Sequence, residues 1–111
     1  MRITKKENRI YFDYQDISSA NINIKDGFVK IELIKTNLQY RGQKFASKIL
    51  NYIIDYIKIN FKNIKKVILS PLPLDIHGLK INDLISFYTR YKFVKSDVYC
   101  ISEPHLMVRY L

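Results

Sequence analysis

The most constraining feature of this sequence is a change of hydrophobic period near its middle. Apolar and polar side chains alternate over residues 28–35, which is typical of a half-buried strand. Apolar side chains then recur every four positions from Phe45 to Phe61, which predicts an amphipathic helix over about residues 43–61. The apolar run at 66–70, ended by prolines, predicts a buried strand. A strand, a crossover helix and a strand in this order predict a right-handed βαβ unit.

Weaker patterns surround this unit. Residues 9–14 and 20–24 are predicted strands, and Asp26-Gly27 is a typical two-residue hairpin turn before the strand at 28–35. In that strand Val29, Ile31 and Leu33 are predicted to share one face, with Lys30, Glu32 and Ile34 on the other. Toward the C-terminus the pattern predicts a second helix over about 82–91 and a closing hairpin of strands 94–101 and 105–111.

Composition limits the class of protein. The 111 residues have the size of one domain, 1–111, and their 48% hydrophobic content argues against disorder. A single cysteine, Cys100, excludes an intramolecular disulfide framework and a thiolate zinc site, so we expect a reducing compartment and no metal. No run approaches the ~18 uninterrupted apolar residues of a membrane span. We therefore expect a soluble, cytoplasmic protein without a membrane partner.

The charge is concentrated in one segment. The net charge is +9, and residues 35–66 carry eight Lys and Arg against Asp55 alone, which is 8 − 1 = +7. Within this segment Arg41, Gly42, Lys44 and Lys48 surround the predicted helix start. A glycine turn at a helix N-terminus offers unpaired N–H groups and a favourable dipole to an anion. The turn therefore predicts a pyrophosphate site, although basic glycine turns also occur as plain helix caps.

Two motifs resemble those of the GCN5-related N-acetyltransferases. Residues 41–46, Arg-Gly-Gln-Lys-Phe-Ala, resemble the acetyl-CoA turn Arg/Gln-x-x-Gly-x-Gly/Ala, with Lys44 at the first glycine of the pattern. Residues 84–93 resemble the helix segment Leu-Tyr-x-x-x-Gly-Phe, with Lys92 in place of its glycine. At position 44 a residue other than glycine predicts an ordinary right-handed backbone, with the side chain turned away from the phosphates or reaching one of them.

The resemblance implies both a fold and a cofactor. The fold would be a mixed, mostly antiparallel twisted α/β sheet of about six strands with a central βαβ unit and two main helices. Acetyl-CoA would be the co-substrate, with its pantetheine arm in a gap between the strands at 28–35 and 66–70. The residues implied to bind it are Ile34, Lys35, Thr36, Arg41, Gly42, Gln43, Lys44, Phe45, Ala46, Lys48 and Asn82.

The resemblance also implies acetyl transfer to a primary amine. A lysine-like amine has a pKa of ~10.4 and must lose a proton before it attacks, so Glu32 is the predicted general base, directly or through water. A backbone N–H near Ile34 or Lys35 would stabilise the oxyanion. Tyr88 holds the position of the family's general acid and would protonate the departing thiolate.

Each of these roles has an alternative. Glu32 is equally compatible with a solvated ion pair to a lysine, Tyr88 with a core aromatic, and Asn82 with a first-turn cap. His77 and His105 are further candidate bases, because histidine titrates near neutral pH.

The region between the first predicted strands is short. Family members commonly place two helices there, and residues 15–19 have room for a turn or one short helical piece at most. An open acceptor side favours a protein lysine or N-terminus as the acceptor, or completion of the site by a second copy of the chain in a homodimer. The alternatives to an enzyme are a degenerate module of the same fold that binds CoA or a protein, and a basic nucleic-acid-binding domain.

Overall fold

The structure is a computed structural model that describes residues 1–42, 44–71, 80–98 and 101–111. Within these ranges it contains seven strands, two α-helices and one short 3-10 helix at Leu38–Tyr40. The strands are β1 (Arg2–Lys6), β2 (Arg9–Tyr14), β3 (Ser18–Ile24), β4 (Phe28–Thr36), β5 (Lys66–Leu69), β6 (Val94–Lys95) and β7 (Met107–Tyr110), and the helices are α1 (Phe45–Asn60) and α2 (Ile81–Arg90).

All seven strands form one sheet in the order β1-β2-β3-β4-β5-β7-β6. Only β4 and β5 pair in parallel, and α1 connects them. The predicted mixed, mostly antiparallel sheet with a central βαβ unit and two main helices is therefore confirmed. The predicted number of about six strands misses β1, which pairs with β2 from Arg2↔Asp13 to Lys6↔Arg9.

Two predictions at strand level are wrong. In the described part of the strand predicted over 94–101, only Val94 and Lys95 are in the sheet, because the Ser96 Oγ accepts a hydrogen bond from the Val98 N–H at 3.1 Å and turns the backbone out of the sheet. The predicted alternation in β4 fails after Ile31, where a β-bulge inserts Glu32 opposite β3. Beyond the bulge Ile34 packs against the core, and Leu33 is 37% exposed.

The N-terminal strands are joined by tight turns. Between β2 and β3, Gln15 and Asp16 both have positive φ, and the Ile17 N–H donates to the Tyr14 carbonyl at 2.8 Å. Both features are typical of a type I′ hairpin turn. No helix separates β2 from β3, as the length of this segment predicts.

Both helices pack on the same face of the sheet. Ile85, Phe87 and Tyr88 of α2 pack against the same core cluster that contains the buried side chains of α1, which puts both helices on one side of the sheet. The guanidinium of Arg109, on this face, donates to the carbonyl of Tyr91 behind α2 at 3.1 Å. The core lies between this face and α1, where the buried residues of the helix are Ile49, Leu50, Ile53, Ile54 and Ile57.

The opposite face, called the open face below, has no helix over it in the described ranges. It carries the side chains that alternate with the core residues of β2, β3 and β4, and Tyr11 and Leu33 on it are 39% and 37% exposed.

None of the described helices is long and apolar enough to cross a membrane. The described residues also contain no group of three His, Cys, Asp or Glu side chains arranged to hold a metal ion.

Candidate active site

The candidate site begins where β4 and β5 part. Their pairing runs from Phe28↔Lys66 to Ile31↔Leu69 and stops, although β4 continues to Thr36. The bulge at Glu32 bends β4 at this point. After Leu69 the chain leaves the ladder through Ser70 and Pro71, and proline has no N–H with which to continue pairing. Residues 32–36 of β4 therefore border a gap that opens from the middle of the sheet.

Hydrogen bonds fix which backbone groups of β4 point into this gap. The Lys35 carbonyl accepts from the Ser18 hydroxyl at 3.0 Å, and the Asn37 N–H donates to the Ile17 carbonyl at 2.8 Å, so both residues point toward β3. Alternate residues of a strand point the other way, which directs the N–H and C=O of Ile34 and Thr36 into the gap. Of the two predicted oxyanion donors, the geometry favours the N–H of Ile34.

The basic glycine turn lies at the wide end of the gap. The Arg41 Nε donates to the Thr36 carbonyl at 3.2 Å, which connects the turn directly to the end of β4. Gly42 has φ of +85°, and no heavy atom lies within 4 Å of the point where a Cβ would be. A phosphate can therefore approach the backbone here without meeting a side chain. The predicted contact at Gln43 lies outside the described residues.

The expected right-handed backbone at Lys44 is wrong. Lys44 has φ of 66° and ψ of 21°, which is the left-handed conformation that glycine adopts most readily. Its carbonyl accepts the first hydrogen bond of α1, from the Lys48 N–H at 3.1 Å. The turn thus keeps a glycine-like backbone at a lysine. The side chains of Lys44 and Lys48 are exposed, and those of Phe45 and Ala46 are half-buried.

The second motif forms the C-terminal cap of α2. The Lys92 N–H donates to the Thr89 carbonyl at 3.1 Å, and the Phe93 N–H donates to the Tyr88 carbonyl at 3.2 Å. With Lys92 at φ of 70°, these bonds form a Schellman motif. The rings of Tyr88 and Phe93 meet edge-on with centroids 5.8 Å apart, which is the apolar contact that accompanies this cap. The family pattern Tyr-x-x-x-Gly-Phe therefore specifies the C-terminal cap of a helix in addition to the position of a tyrosine.

We expect Lys92→Gly to stabilise the protein. Left-handed backbone costs a residue other than glycine ~1–2 kcal/mol, and the unfolded-state entropy of glycine offsets about 0.5–1 kcal/mol of the gain. The net increase in the free energy of unfolding should be about 0.5–1 kcal/mol, which calorimetry would record as a rise in Tm of a few degrees. Lys92→Ala is the matched control, because it removes the charge and keeps the Cβ. Equal stabilisation by both variants would assign the effect to charge and contradict the backbone explanation.

Tyr88 is a half-buried side chain of α2 whose environment keeps it neutral. Burial raises the pKa of its phenol to about 12. Its ring contacts Phe87 as well as Phe93, with centroids 5.1 Å from the former. Its hydroxyl makes no hydrogen bond to another described residue. The phenol therefore keeps its proton at neutral pH and has a donor available for a ligand.

Glu32 forms an ion pair across the open face. Its two carboxylate oxygens accept from the Arg9 guanidinium at 2.9 and 3.5 Å. The ion pair expected as the alternative to a base role thus exists, with an arginine instead of a lysine. An ionised carboxylate has about four acceptor positions, so two remain for water or an amine. Glu32 and Tyr88 are not bonded to each other, which is consistent with roles on opposite sides of a reacting group.

Glu103 is a second carboxylate at the start of the gap, and no sequence pattern pointed to it. Its Oε1 accepts from the Lys30 Nζ at 2.6 Å and from the Ser70 hydroxyl at 2.9 Å. The hydrogen bond from Lys30 lowers the pKa of this carboxyl. Lys30 lies in β4 and Ser70 directly follows β5, so Glu103 bridges the two diverging segments where the gap begins. Its partners are 73 and 33 residues away along the chain, too far for a local pattern to reveal.

The remaining candidates are peripheral or outside the described ranges. Asn82 is exposed in the first turn of α2, and neither it nor the N-cap residue Lys80 makes a side-chain capping bond. His105 is exposed in the turn before β7. His77 and Cys100 lie outside the described residues.

Comparison with known proteins establishes the fold. No protein-family model matches the chain, and no curated protein matches it. Among solved structures, the anti-CRISPR protein AcrVA5 superposes with a TM-score of 0.76 at 17% identity, over 91% of this chain and 97% of that one. The PaiA N-acetyltransferase from Thermoplasma acidophilum, in complex with coenzyme A, gives 0.69 at 14% identity, over 93% of this chain and 60% of its own.

Several other matches are acetyltransferases, including GNAT-family proteins. The ribosomal-protein-S18-alanine N-acetyltransferase from Escherichia coli superposes with a TM-score of 0.68 at 11% identity, over 96% of this chain and 71% of its own. At such identities the similarity concerns the fold alone. This chain has the fold of the GCN5-related N-acetyltransferases, as its two motifs imply.

Proposed function

We propose that this protein is an N-acetyltransferase that moves the acetyl group of acetyl-CoA to a primary amine. The observation that carries the proposal is the parting of β4 from β5 after Ile31, in a gap that ends at the glycine turn before α1. Gap and turn fit the two halves of the co-substrate: gap-facing backbone groups suit the amides of a pantetheine arm, and the turn suits a pyrophosphate. The structural similarity to an acetyltransferase in complex with coenzyme A supports this assignment.

In the proposed reaction the amine nitrogen bonds to the acetyl carbon, and the bond from that carbon to sulfur breaks. Glu32 takes the amine proton, directly or through water, from the open face. The Ile34 N–H donates to the carbonyl oxygen as negative charge develops on it. Tyr88 donates its phenolic hydrogen bond to the departing thiolate. Each role needs one hydrogen-bond donor or acceptor. Among the described residues, the Glu32 carboxylate, the Ile34 N–H and the Tyr88 hydroxyl are available for these roles.

A protein lysine or N-terminus is the proposed acceptor. Among the described residues no helix covers the open face to enclose a small molecule, and enclosure is what small-molecule sites usually provide. The similarity to an enzyme named for acetylating a ribosomal protein supports a protein acceptor. Faster turnover on a free polyamine than on lysine-containing peptides would contradict this choice. Activity that falls on dilution would indicate instead that a second copy of the chain completes the acceptor side.

Acetyl-CoA should stabilise the protein measurably. A ligand at 100 times its Kd adds about 2.7 kcal/mol to the free energy of unfolding, which a thermal-shift experiment detects readily. Thiol release with candidate amines then reports turnover. Absence of a shift at millimolar acetyl-CoA would remove the proposed function. A shift without thiol release for any amine would favour the degenerate CoA-binding module.

Two lysines of α1 provide a matched pair for the phosphate site. Lys48 lies one turn from the glycine turn and Lys58 lies in the last turn, and both are exposed. We expect Lys48→Ala to raise the Kd for acetyl-CoA several-fold, because a nearby cation is lost, and Lys58→Ala to leave it unchanged. Isothermal calorimetry at two salt concentrations measures both. Equal weakening by both variants would indicate a general charge effect instead of a site at the turn.

A further inference from the structure

A pocket lies beside the glycine turn, on the side of α1 away from β5. It has a volume of ≈ 270 Å³ and is lined by Met1, Tyr14, Phe45, Lys48, Ile49 and Tyr52. Four of these residues form one stripe along the first two turns of α1, beginning directly after Lys44. Tyr14 is aligned across the sheet with Ser18 and Thr36, so the pocket floor lies at the same end of the sheet as the turn.

The lining combines three aromatic side chains and two aliphatic ones with one lysine. The rings of Tyr14 and Phe45 lie with centroids 5.9 Å apart, and the Lys48 Nζ stands 5.1 Å from the centroid of the Phe45 ring. Tyr52 closes one side and is 40% exposed. The volume is below the ~300–1,000 Å³ typical of sites that enclose a whole drug-sized ligand. The pocket therefore suits one flat ring system that carries an anionic group near Lys48.

We propose that this pocket binds the adenine ring of the CoA moiety, with Lys48 beside its ribose phosphate. The inference rests on the proposed function for the identity of the ligand. With the diphosphate at the turn, the pantetheine arm leads into the gap toward β5. The adenosine then leaves the turn on the other side, where the pocket begins one residue after Lys44. Base stacking on aromatic side chains and the positive charge of Lys48 match the two chemical parts of a phosphoadenosine.

Adenosine 3′,5′-bisphosphate is the probe, because it contains the base and ribose phosphates and lacks pantetheine. Tyr52→Ala is compared with Tyr11→Ala, which truncates a tyrosine of nearly equal exposure, 40% against 39%, on the open face. We expect Tyr52→Ala to raise the Kd for the probe and for acetyl-CoA about tenfold, since one stacking surface is lost. Tyr11→Ala should change neither. Equal affinity of the probe for both variants and the wild type would overturn the proposal.

A second measurement does not depend on the folding of a variant. In proton NMR of the wild type, the probe should shift the ring resonances of Tyr52 and Phe45, and shifts confined to other residues would overturn the pocket. The two proposals fail separately. If acetyl-CoA binds tightly without these shifts, the proposed adenine site is wrong and the proposed acetyltransferase function stands. If the probe binds saturably with these shifts, but acetyl-CoA and amines give no thiol release, the proposed adenine site stands and the proposed enzymatic activity is wrong.

Discussion

Replacing Tyr88 with phenylalanine should lower kcat for acetyl transfer by about 10²-fold or more and leave the Kd for acetyl-CoA nearly unchanged. The substitution removes one hydroxyl and keeps the ring. The ring contacts with Phe87 and Phe93 and the cap at the end of α2 therefore remain. What is lost is a donor for the departing thiolate, a charge that is larger in the transition state than in the bound substrates.

The neighbouring tyrosine of the same cap provides the control. Tyr91 is half-buried, and its ring contacts Phe87 with centroids 5.0 Å apart. Tyr91→Phe removes a hydroxyl from a comparable environment without a proposed role in the reaction, so kcat should stay within about twofold. Stopped-flow or steady-state thiol release gives kcat, and calorimetry gives Kd. Unchanged turnover in Tyr88→Phe would assign Tyr88 to packing and the cap alone.

The pH dependence gives a second test of Tyr88. Burial raises the pKa of the phenol to about 12, so the donor is present at lower pH and is lost only as pH rises through that value. The phenol is also a much weaker acid than a thiol, whose pKa is about 8.5. We therefore expect Tyr88 to stabilise the departing thiolate by a hydrogen bond and to keep its own proton, and the thiolate to take its proton later from solvent. Loss of kcat near pH 9 that disappears in Tyr88→Phe would contradict this account.

Periodicity and turn chemistry predicted the scaffold well. The four-residue spacing of apolar side chains predicted α1 to within two residues at its start and one at its end, and Asp26-Gly27 predicted the β3–β4 hairpin. These features depend on local pattern, and each is reinforced by burial on one face. The elements missed or shortened, β1 and β6, lie at the two edges of the sheet, where one side of the strand is unpaired and the hydrophobic pattern is weak.

The details of the site depend on backbone conformation that residue types do not reveal. A lysine gives no indication that it occupies a left-handed conformation, yet Lys44 and Lys92 both do so, at the positions where the two family motifs have glycine. The bulge at Glu32 likewise arises from pairing with β3, and it decides that the backbone of Ile34 points into the gap. Motif resemblance predicted the positions of the candidate site, and three-dimensional pairing determined their geometry.

The charge also acquires a more specific interpretation. The segment 35–66 carries +7 in the sequence, but most of its cations lie toward the two ends of α1, where Lys48 and Lys58 are ~15 Å apart along the helix axis. Arg41, Lys44 and Lys48 surround the glycine turn, whereas Lys58 and the three lysines after it lie at the far end. A nucleic-acid site would use cations spread along a continuous surface, and a single diphosphate needs only the first group.

Replacing Glu32 with glutamine should lower kcat by about 10²-fold at neutral pH, because the protonated amine then lacks a proton acceptor. The isostere keeps the size of the side chain. The ion pair with Arg9 is solvent-exposed, so its loss should leave the Tm nearly unchanged. As pH approaches the ~10.4 pKa of the amine, the base becomes unnecessary and the deficit should shrink. A deficit that stays constant with pH would indicate a structural role.

Glu103→Gln is the matched comparison for this test. The side chains of Glu32 and Glu103 are 29% and 28% exposed, and each forms one ion pair. Because Glu103 stays ionised beside Lys30 at the start of the gap, we expect its loss to raise KM for a cationic amine several-fold and to leave kcat nearly unchanged. Thiol release measured over amine concentration separates the two effects. A large loss of kcat in Glu103→Gln with none in Glu32→Gln would transfer the base role to the carboxylate that bridges the two diverging strands.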